Sequence, residues 1–241
     1  MKIYLIVGRA RYQELVKSED NHITESCYVL AIHNHPAGYH LVKLTGWFDF
    51  NFGFHSDVHK GLTTSEMLKL LKETANKDFF GYDGFLCVIV SYGSKDGIYG
   101  RDDKAISLET ITSLFSQNKC PSLKGKPKIF LMEAFQRGDK VPGSDSSSSP
   151  VVSEGDFLIN YATPKEKERP SCFGLMSAVH YVLEVYSAKE DLMNMMTRVN
   201  KLTTKSYSAS KMQSPTLVST LTKKVFLKPL RSRRSKFFLF W

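Results

Sequence analysis

Cysteine is scarce. The four, Cys27, Cys87, Cys120 and Cys172, lie far apart in 241 residues and never form a CxxC pair. A disulfide framework and a zinc site are therefore not expected, and the thiols read as buried and reduced. Long apolar runs are absent as well. Nothing approaches the roughly 18 residues of a membrane span, and the opening MKIYLIVGRARYQELVK has only a short apolar stretch followed closely by charge, unlike a secretory leader. A soluble cytoplasmic protein without a membrane partner is expected. Acidic residues are outnumbered, 24 Asp and Glu against 33 Lys and Arg, for a net charge of +9. Phosphate binding needs clustered cations, and most of these are interleaved with acids, so nucleic acid is not an expected partner. The exception is the stretch RSRRSKFFLFW, where Arg231, Arg233, Arg234 and Lys236 run into an apolar segment that must dock on the body or on a partner. His33, His35, His40, His55 and His59 share one region but lack helical i, i+4 spacing and a Cys or carboxylate pattern. Ordinary core or surface histidines are expected there, with no metal and no cofactor.

What is present is a chain 42% hydrophobic and 12% aromatic, enough for a sizeable core. Short apolar runs bounded by turn signals alternate with helical patterns, which predicts an α/β fold with a mainly parallel sheet flanked by helices. Strands are expected at 28–33, 48–54, 85–91, 128–132, 156–161 and 217–226. Thr63 and Glu66 have capping-box spacing, and Met67, Leu68, Leu70 and Leu71 then form a stripe, giving a helix over about 65–74. Ser107 caps a second helix bearing Ile111, Leu114 and Phe115. Leu175, Ala178, Val179 and Val182 mark a third over about 174–186. Ser187 and Glu190 form another capping-box pattern before Leu192, Met195, Met196 and Val199, the buried face of a fourth. The stretch 140–154, KVPGSDSSSSPVVSE, has the Ser, Pro and Gly content of an exposed linker.

In order, FLCVIVSYG, IYGRDD and ITSLFSQNKCPSLKGKPKIFLMEAF, then DFLINYAT, SAKEDLMNMMTRVN and PTLVSTLTKKVFLKP beyond the linker, resemble the caspase family over roughly residues 26 to 229. The resemblance implies an N-terminal segment at 1–25, a large-subunit-like region at 26–139, the linker at 140–154, a small-subunit-like region at 155–229 and a tail at 230–241. It also implies two catalytic positions, a histidine directly after Ser and a cysteine directly after Gln-Ala. This chain has Tyr92 and Phe135 there. Phenylalanine has no nucleophilic atom, and a tyrosine of ordinary pKa near 10 cannot do the work of a group titrating near 6.5. Gly93, whose counterpart supplies an oxyanion N–H, is retained. Glu133 replaces a glutamine that helps hold the substrate aspartate, and a carboxylate facing a carboxylate repels it.

Only NHPAGYHLVKLTGW joins the first two expected strands, so the family's first helix and its pocket arginine are expected to be missing. Arg169 is the one nearby arginine after YAT, and its register leaves the role unassigned. Cys87 and Cys172 have no histidine placed to make either a nucleophile. Thr216, Leu217, Val218 and Ser219 match the strand through which caspases pair, and Asp145 lies where their linkers are cut. The expectation is a pseudoenzyme: an inactive caspase homologue, or decoy caspase, that forms a heterodimer with an active caspase, and a homodimer with itself, in apoptosis regulation. The alternatives are a scaffold binding adaptors or substrates, and an active cysteine endopeptidase with unusual residues.

Overall fold

A computed structural model describes residues 21–94, 97–136, 154–165, 174–208 and 214–230. The strands are β1 (Asn21–Thr24), β2 (Cys27–His33), β3 (His55–Lys60), β4 (Gly84–Ser94), β5 (Gly97–Tyr99), β6 (Ala105–Ile106), β7 (Lys128–Phe135), β8 (Phe157–Ala162), β9 (Thr216–Ser219) and β10 (Lys224–Leu227). The helices are α1 (Gly38–Phe52), α2 (Thr64–Ala75), α3 (Leu108–Ser113), α4 (Leu175–Tyr186) and α5 (Leu192–Ser208). The main sheet runs β3-β2-β4-β7-β8-β9, and β5 and β6 form a small antiparallel extension of β4. Its first five strands are parallel and β9 is antiparallel. The linker therefore joins two adjacent strands of one sheet, β7 and β8.

Parallel strands covered on both faces need apolar residues at every position, and β7 and β8 are buried throughout. Alternation sorts their side chains into two layers. Leu86, Val88 and Val90 of β4 pack with α1, α4 and α5, while Phe85, Cys87 and Ile89 pack with α2 and α3. Lys128, fully buried, is held by the carbonyls of Lys126 at 2.9 Å and Leu123 at 3.4 Å and lies over the Phe157 ring. Burial pushes its pKa down.

The capping box of α2 is present in both directions: Thr63 N–H donates to Glu66 Oε2 at 2.7 Å, and Glu66 N–H donates to Thr63 Oγ1. Ser107 caps α3, accepting from Thr110 N–H at 3.0 Å.

Three expectations are corrected. The aromatic alternation at 48–54 is not a strand: Leu41, Leu44, Thr45, Phe48 and Phe52 are the buried stripe of α1, so the helix expected to be missing is present. Its solvent-facing Phe50 gives the false period of two. The second strand is instead the polar edge His55–Lys60. Ser187 is the C-cap of α4 and not an N-cap. Asp191 does that work for α5, accepting from Asn194 N–H at 3.1 Å, while Glu190 holds Arg198 with two 2.7 Å hydrogen bonds. Finally, 217–226 breaks into β9 and β10, because the Thr220 hydroxyl donates to the Glu154 carbonyl and Asp156 binds Thr222, turning the chain. β10 then pairs with β1 in a separate two-stranded sheet.

Candidate functional site

In an open α/β sheet, the loops beyond the C-terminal ends of parallel strands are where ligands bind. β4 and β7 end there side by side, and their register pairs Tyr92 directly with Phe135. Two residues distant in sequence thus become neighbours on the face that carries α1 and α4. A third ring joins them. His35, just beyond β2, stacks face to face on Phe135 with centroids 3.8 Å apart and 3° between planes, and meets Tyr92 edge-on at 4.7 Å. His35 is 3% exposed and Phe135 5%, and Tyr92 is partly buried against the same core cluster. The His35 ring is oriented by its own loop, with Nδ1 accepting from Ala37 N–H at 3.0 Å, which places any ring proton of the neutral form on Nε2.

Glu133, two positions before Phe135, lies on the same face of β7 and is 3% exposed. The N-cap of α4, Gly174, has no side chain to offer the free N–H groups of the first turn. Glu133 Oε1 accepts from Leu175 N–H at 3.0 Å, and a negative charge at a helix N-terminus is favoured by the helix dipole. A Cβ at Gly174 would lie 2.7 Å from that oxygen. The sequence placed this carboxylate in a substrate pocket; the fold turns it into the cap of α4.

Gly93 has its own steric reason. An added Cβ would sit 2.5 Å from the Gly97 carbonyl oxygen and 2.8 Å from Ala134 Cβ, so the β4–β5 turn closes only around glycine. Ser91 Oγ donates to Tyr99 O at 2.6 Å, and the Tyr161 hydroxyl donates to Ser94 O, fixing the strand on both sides of Tyr92.

A relocated thiol has no place here. Cys87 points into the opposite layer, among α2 and α3, and burial pushes its pKa far up, leaving no thiolate at neutral pH. Cys27 and Cys120 are also buried and free. Cys172, Arg169 and Asp145 lie outside the described residues, as do Arg231, Arg233, Arg234 and Lys236. Among the described residues no three His, Cys, Asp or Glu side chains converge as metal ligands, and no helix is long and apolar enough to cross a membrane.

The strand expected to pair lies at an edge. β9 is the last strand of the main sheet, bonded to β8 on one side. Thr220 N–H donates to Phe157 O at 2.8 Å, and Val218 lies opposite Ile159. Antiparallel bonding alternates, so Thr216 and Val218 direct their backbone groups toward β8, while Leu217 and Ser219 direct theirs outward. Thr216 and Ser219 side chains are exposed, but Val218 packs against the α2 layer and Leu217 against the α1 layer. Val218 is therefore partly a core residue, not one reserved for an interface.

His35 is the member of the site that sequence reasoning missed. Its NHP context gave no stacking signal, because the partner rings arrive from two other strands.

The caspase domain model matches residues 42–226. Over 193 residues the chain is 34% identical to caspase-8 of Rattus norvegicus, covering 69% of this chain and 40% of that protein. Over 187 residues it is 32% identical to caspase-3 of Oryctolagus cuniculus, covering 68% and 66%. The chain thus spans less than two thirds of the length of either relative. The solved structure of pro-sf-caspase-1 superposes with a TM-score of 0.68 at 23% identity, over 86% of this chain and 96% of that one, and it shares the mainly parallel sheet with flanking helices. By its sequence match and its fold, the chain belongs to the caspase family.

Proposed function

We propose that this chain is a non-catalytic caspase homologue that pairs through β9 with an active caspase and alters that partner's activity. The observation carrying this reading is the Tyr92–Phe135 register pair. The strand ends that should present an imidazole and a thiol present a phenol and a phenyl ring, and the phenyl ring is stacked on His35. An acyl-enzyme needs an attacking atom, and none is supplied. The open edge of β9 supports the pairing half of the proposal, because outward backbone groups on an edge strand are ready to bond a second strand. A second copy of this chain can use the same edge. The protein works in the cytoplasm, without nucleic acid, membrane or cofactor, and its partner acts on the linker at Asp145. Pairing changes the partner by ordering its loops or by occupying the edge it uses for self-association.

The test is to mix the purified chain with caspase-8 and with caspase-3, weigh the complexes by mass photometry, and follow cleavage of an aspartate-terminated fluorogenic peptide. A complex of one chain with one caspase, with a changed turnover rate, is expected, and the chain alone gives no turnover. Phe135→Cys with Tyr92→His should restore little, since Glu133 remains committed to α4. Turnover by the chain alone overturns the non-catalytic reading. Absence of any complex overturns the pairing and favours the scaffold that binds adaptors or substrates.

A further inference from the structure

The opposite end of the sheet carries a surface that the fold does not use. Two segments meet at the N-terminal ends of β4 and β7: residues 76–83, which follow α2, and residues 114–127, which follow α3. They are tied together by Ser122 Oγ donating to Lys77 O at 3.3 Å and by Lys126 Nζ donating to Phe79 O at 2.7 Å. At this junction two adjacent phenylalanines part. Phe79 is fully buried among the rings of Tyr28, Tyr82 and Phe85, whereas Phe80, at 83%, is the most exposed large apolar side chain among the described residues. Its backbone is fixed in that pose, because its N–H donates to Asp78 Oδ1 at 2.8 Å and Tyr82 N–H closes the turn on Phe79 O at 2.9 Å. A single exposed apolar residue is ordinary on a protein surface. What sets Phe80 apart is that it walls a groove completed by Ala75, Asn76, Lys119, Pro121 and Ser122.

The rim of that groove is cationic. Lys119 is exposed and its ammonium reaches the Ser113 hydroxyl at 3.4 Å, Lys126 Nζ lies 5.9 Å from the Phe80 ring centroid, and the exposed Lys124 belongs to the same segment. Lys77 lends its apolar stem to the wall, while its ammonium lies over the Tyr28 ring at 4.9 Å. None of these lysines forms an ion pair with a described carboxylate. The acids of the two segments are engaged by backbone, Asp78 by the Phe80 N–H and Asp83 by those of Glu25 and Ser26. An apolar ring among uncompensated cations is complementary to an apolar side chain among carboxylates. A nucleic-acid strand is the poorer fit, since it stacks successive bases on successive rings, and the groove offers one. We propose that this groove docks an acidic segment of another protein, with an apolar side chain packed on Phe80 against Ala75 and Pro121 and carboxylates on Lys119, Lys124 and Lys126. Phe80 precedes β4 and Tyr92 ends it, roughly 25 Å away along the strand, so the occupant leaves the Tyr92–Phe135 end free. The docking is independent of whether the chain pairs with a caspase.

The experiment titrates the full chain against a fluorescein-labelled peptide of mixed glutamate and aspartate with one central phenylalanine, read by fluorescence anisotropy. Saturable binding is expected, weakening as sodium chloride is raised. The same peptide with serine in place of its phenylalanine should bind about tenfold more weakly, the effect of leaving one ring unburied, and this comparison on the parent chain needs no variant. Phe80→Ser should cost the phenylalanine peptide that same factor and the serine peptide nothing. Lys119→Glu together with Lys124→Glu should weaken both peptides by more than about tenfold, through like-charge repulsion. Circular dichroism and the urea midpoint of both variants should match the parent, because all three side chains are exposed. The inference is overturned by the absence of saturable binding, by equal binding of the two peptides, or by binding that the variants leave unchanged. It is also overturned if a single-stranded oligonucleotide of equal charge binds more tightly than the phenylalanine peptide and is lost with the same variants, which would make the groove a phosphate surface.

Discussion

The C-terminal ends of β4 and β7 and the outer edge of β9 belong to one sheet, yet they treat their atoms in opposite ways. At the strand ends every side chain of the site is turned into a contact: Phe135 on His35, Tyr92 against both, Glu133 on the first turn of α4. At the β9 edge the backbone groups of Leu217 and Ser219 are turned away from the fold. The difference follows from what each activity needs. Nucleophilic catalysis depends on a few particular side-chain atoms and ends with a single substitution. Strand pairing depends on N–H and C=O groups that every non-proline residue carries, so it outlasts wide changes of sequence. On the proposed reading, a caspase fold can therefore lose the residues of the chemistry and keep a strand edge open to pairing.

The comparison breaks first at Phe135. If the strand ends have become packing, Phe135→Ala removes a ring that is 5% exposed and stacked on His35, and should cost about 3 kcal/mol in urea unfolding, the lower end of the range for buried phenylalanine. A loss below about 1 kcal/mol, of the size usual for surface changes, would mean that the site is loosely held, and that the contrast with the edge is false.

Much of this was legible in the sequence, and the reasons are local. The Thr63–Glu66 box and the Ser107 cap act within one turn, so spacing alone finds them. The strands β4, β7 and β8 are continuous apolar runs because both their faces are covered. Tyr92 and Phe135 were placed by motif order, and their register pairing then followed from the parallel sheet. What stayed hidden depends on partners distant in sequence. Glu133 caps a helix that begins 42 residues later, and His35 is sandwiched by rings from two other strands. The helix α1 was misread because Phe48, Phe50, Phe52 and Phe54 alternate, and only the tertiary burial of Phe48 and Phe52, with Phe50 left outside, reveals the helical period. That Val218 also packs against the α2 layer is likewise invisible from strand position alone.

The edge has its own test, and the layer of Val218 dictates where to make it. Val218→Glu would disturb the α2 layer as well as any interface, so a loss of pairing could not be separated from a loss of packing. Ser219 is exposed and its N–H points outward. Ser219→Pro removes that one donor and leaves the bonds to β8 in place, as proline is tolerated on the open side of an edge strand. Its affinity for a caspase partner, or for itself, should fall about tenfold, equivalent to about 1.4 kcal/mol, with the unfolding midpoint nearly unchanged. Sedimentation equilibrium measures the first and urea titration the second. Unchanged affinity in the folded variant would remove the β9 edge from the contact.

The smallest effect concerns what holds β9 in position after the chain leaves it. β10 follows within a few residues and pairs with β1, and Lys228 closes the pair through its N–H to Thr24 O at 2.9 Å and its ammonium to Glu25. In β1, His22 Nε2 donates to Asp83 O at 2.8 Å, while Asp83 Oδ2 accepts from Glu25 and Ser26 N–H. Burial holds the His22 pKa below its ordinary 6.5, and Lys223 adds to this, although Asp83 and Asp156 pull the other way. The unfolded chain therefore takes up a proton below about pH 6.5 that the folded chain resists. Stability from this group is fully present above 6.5 and declines as pH falls toward the lowered folded value, with a slope of at most about 1.4 kcal/mol per pH unit. His33 and His40, also lowered by burial, contribute in the same sense, so His22→Gln should remove only a share of the acid slope in urea midpoints between pH 7.5 and 5, values chosen to bracket about 6.5. Hydrogen exchange locates that share. After correction for intrinsic rates, acid should speed exchange in β1, β10 and the end of β9 relative to β4 and β7, and His22→Gln should abolish the difference. An equal response in all five strands would show that the clasp is not a separate unit and that the edge is held as firmly as the site.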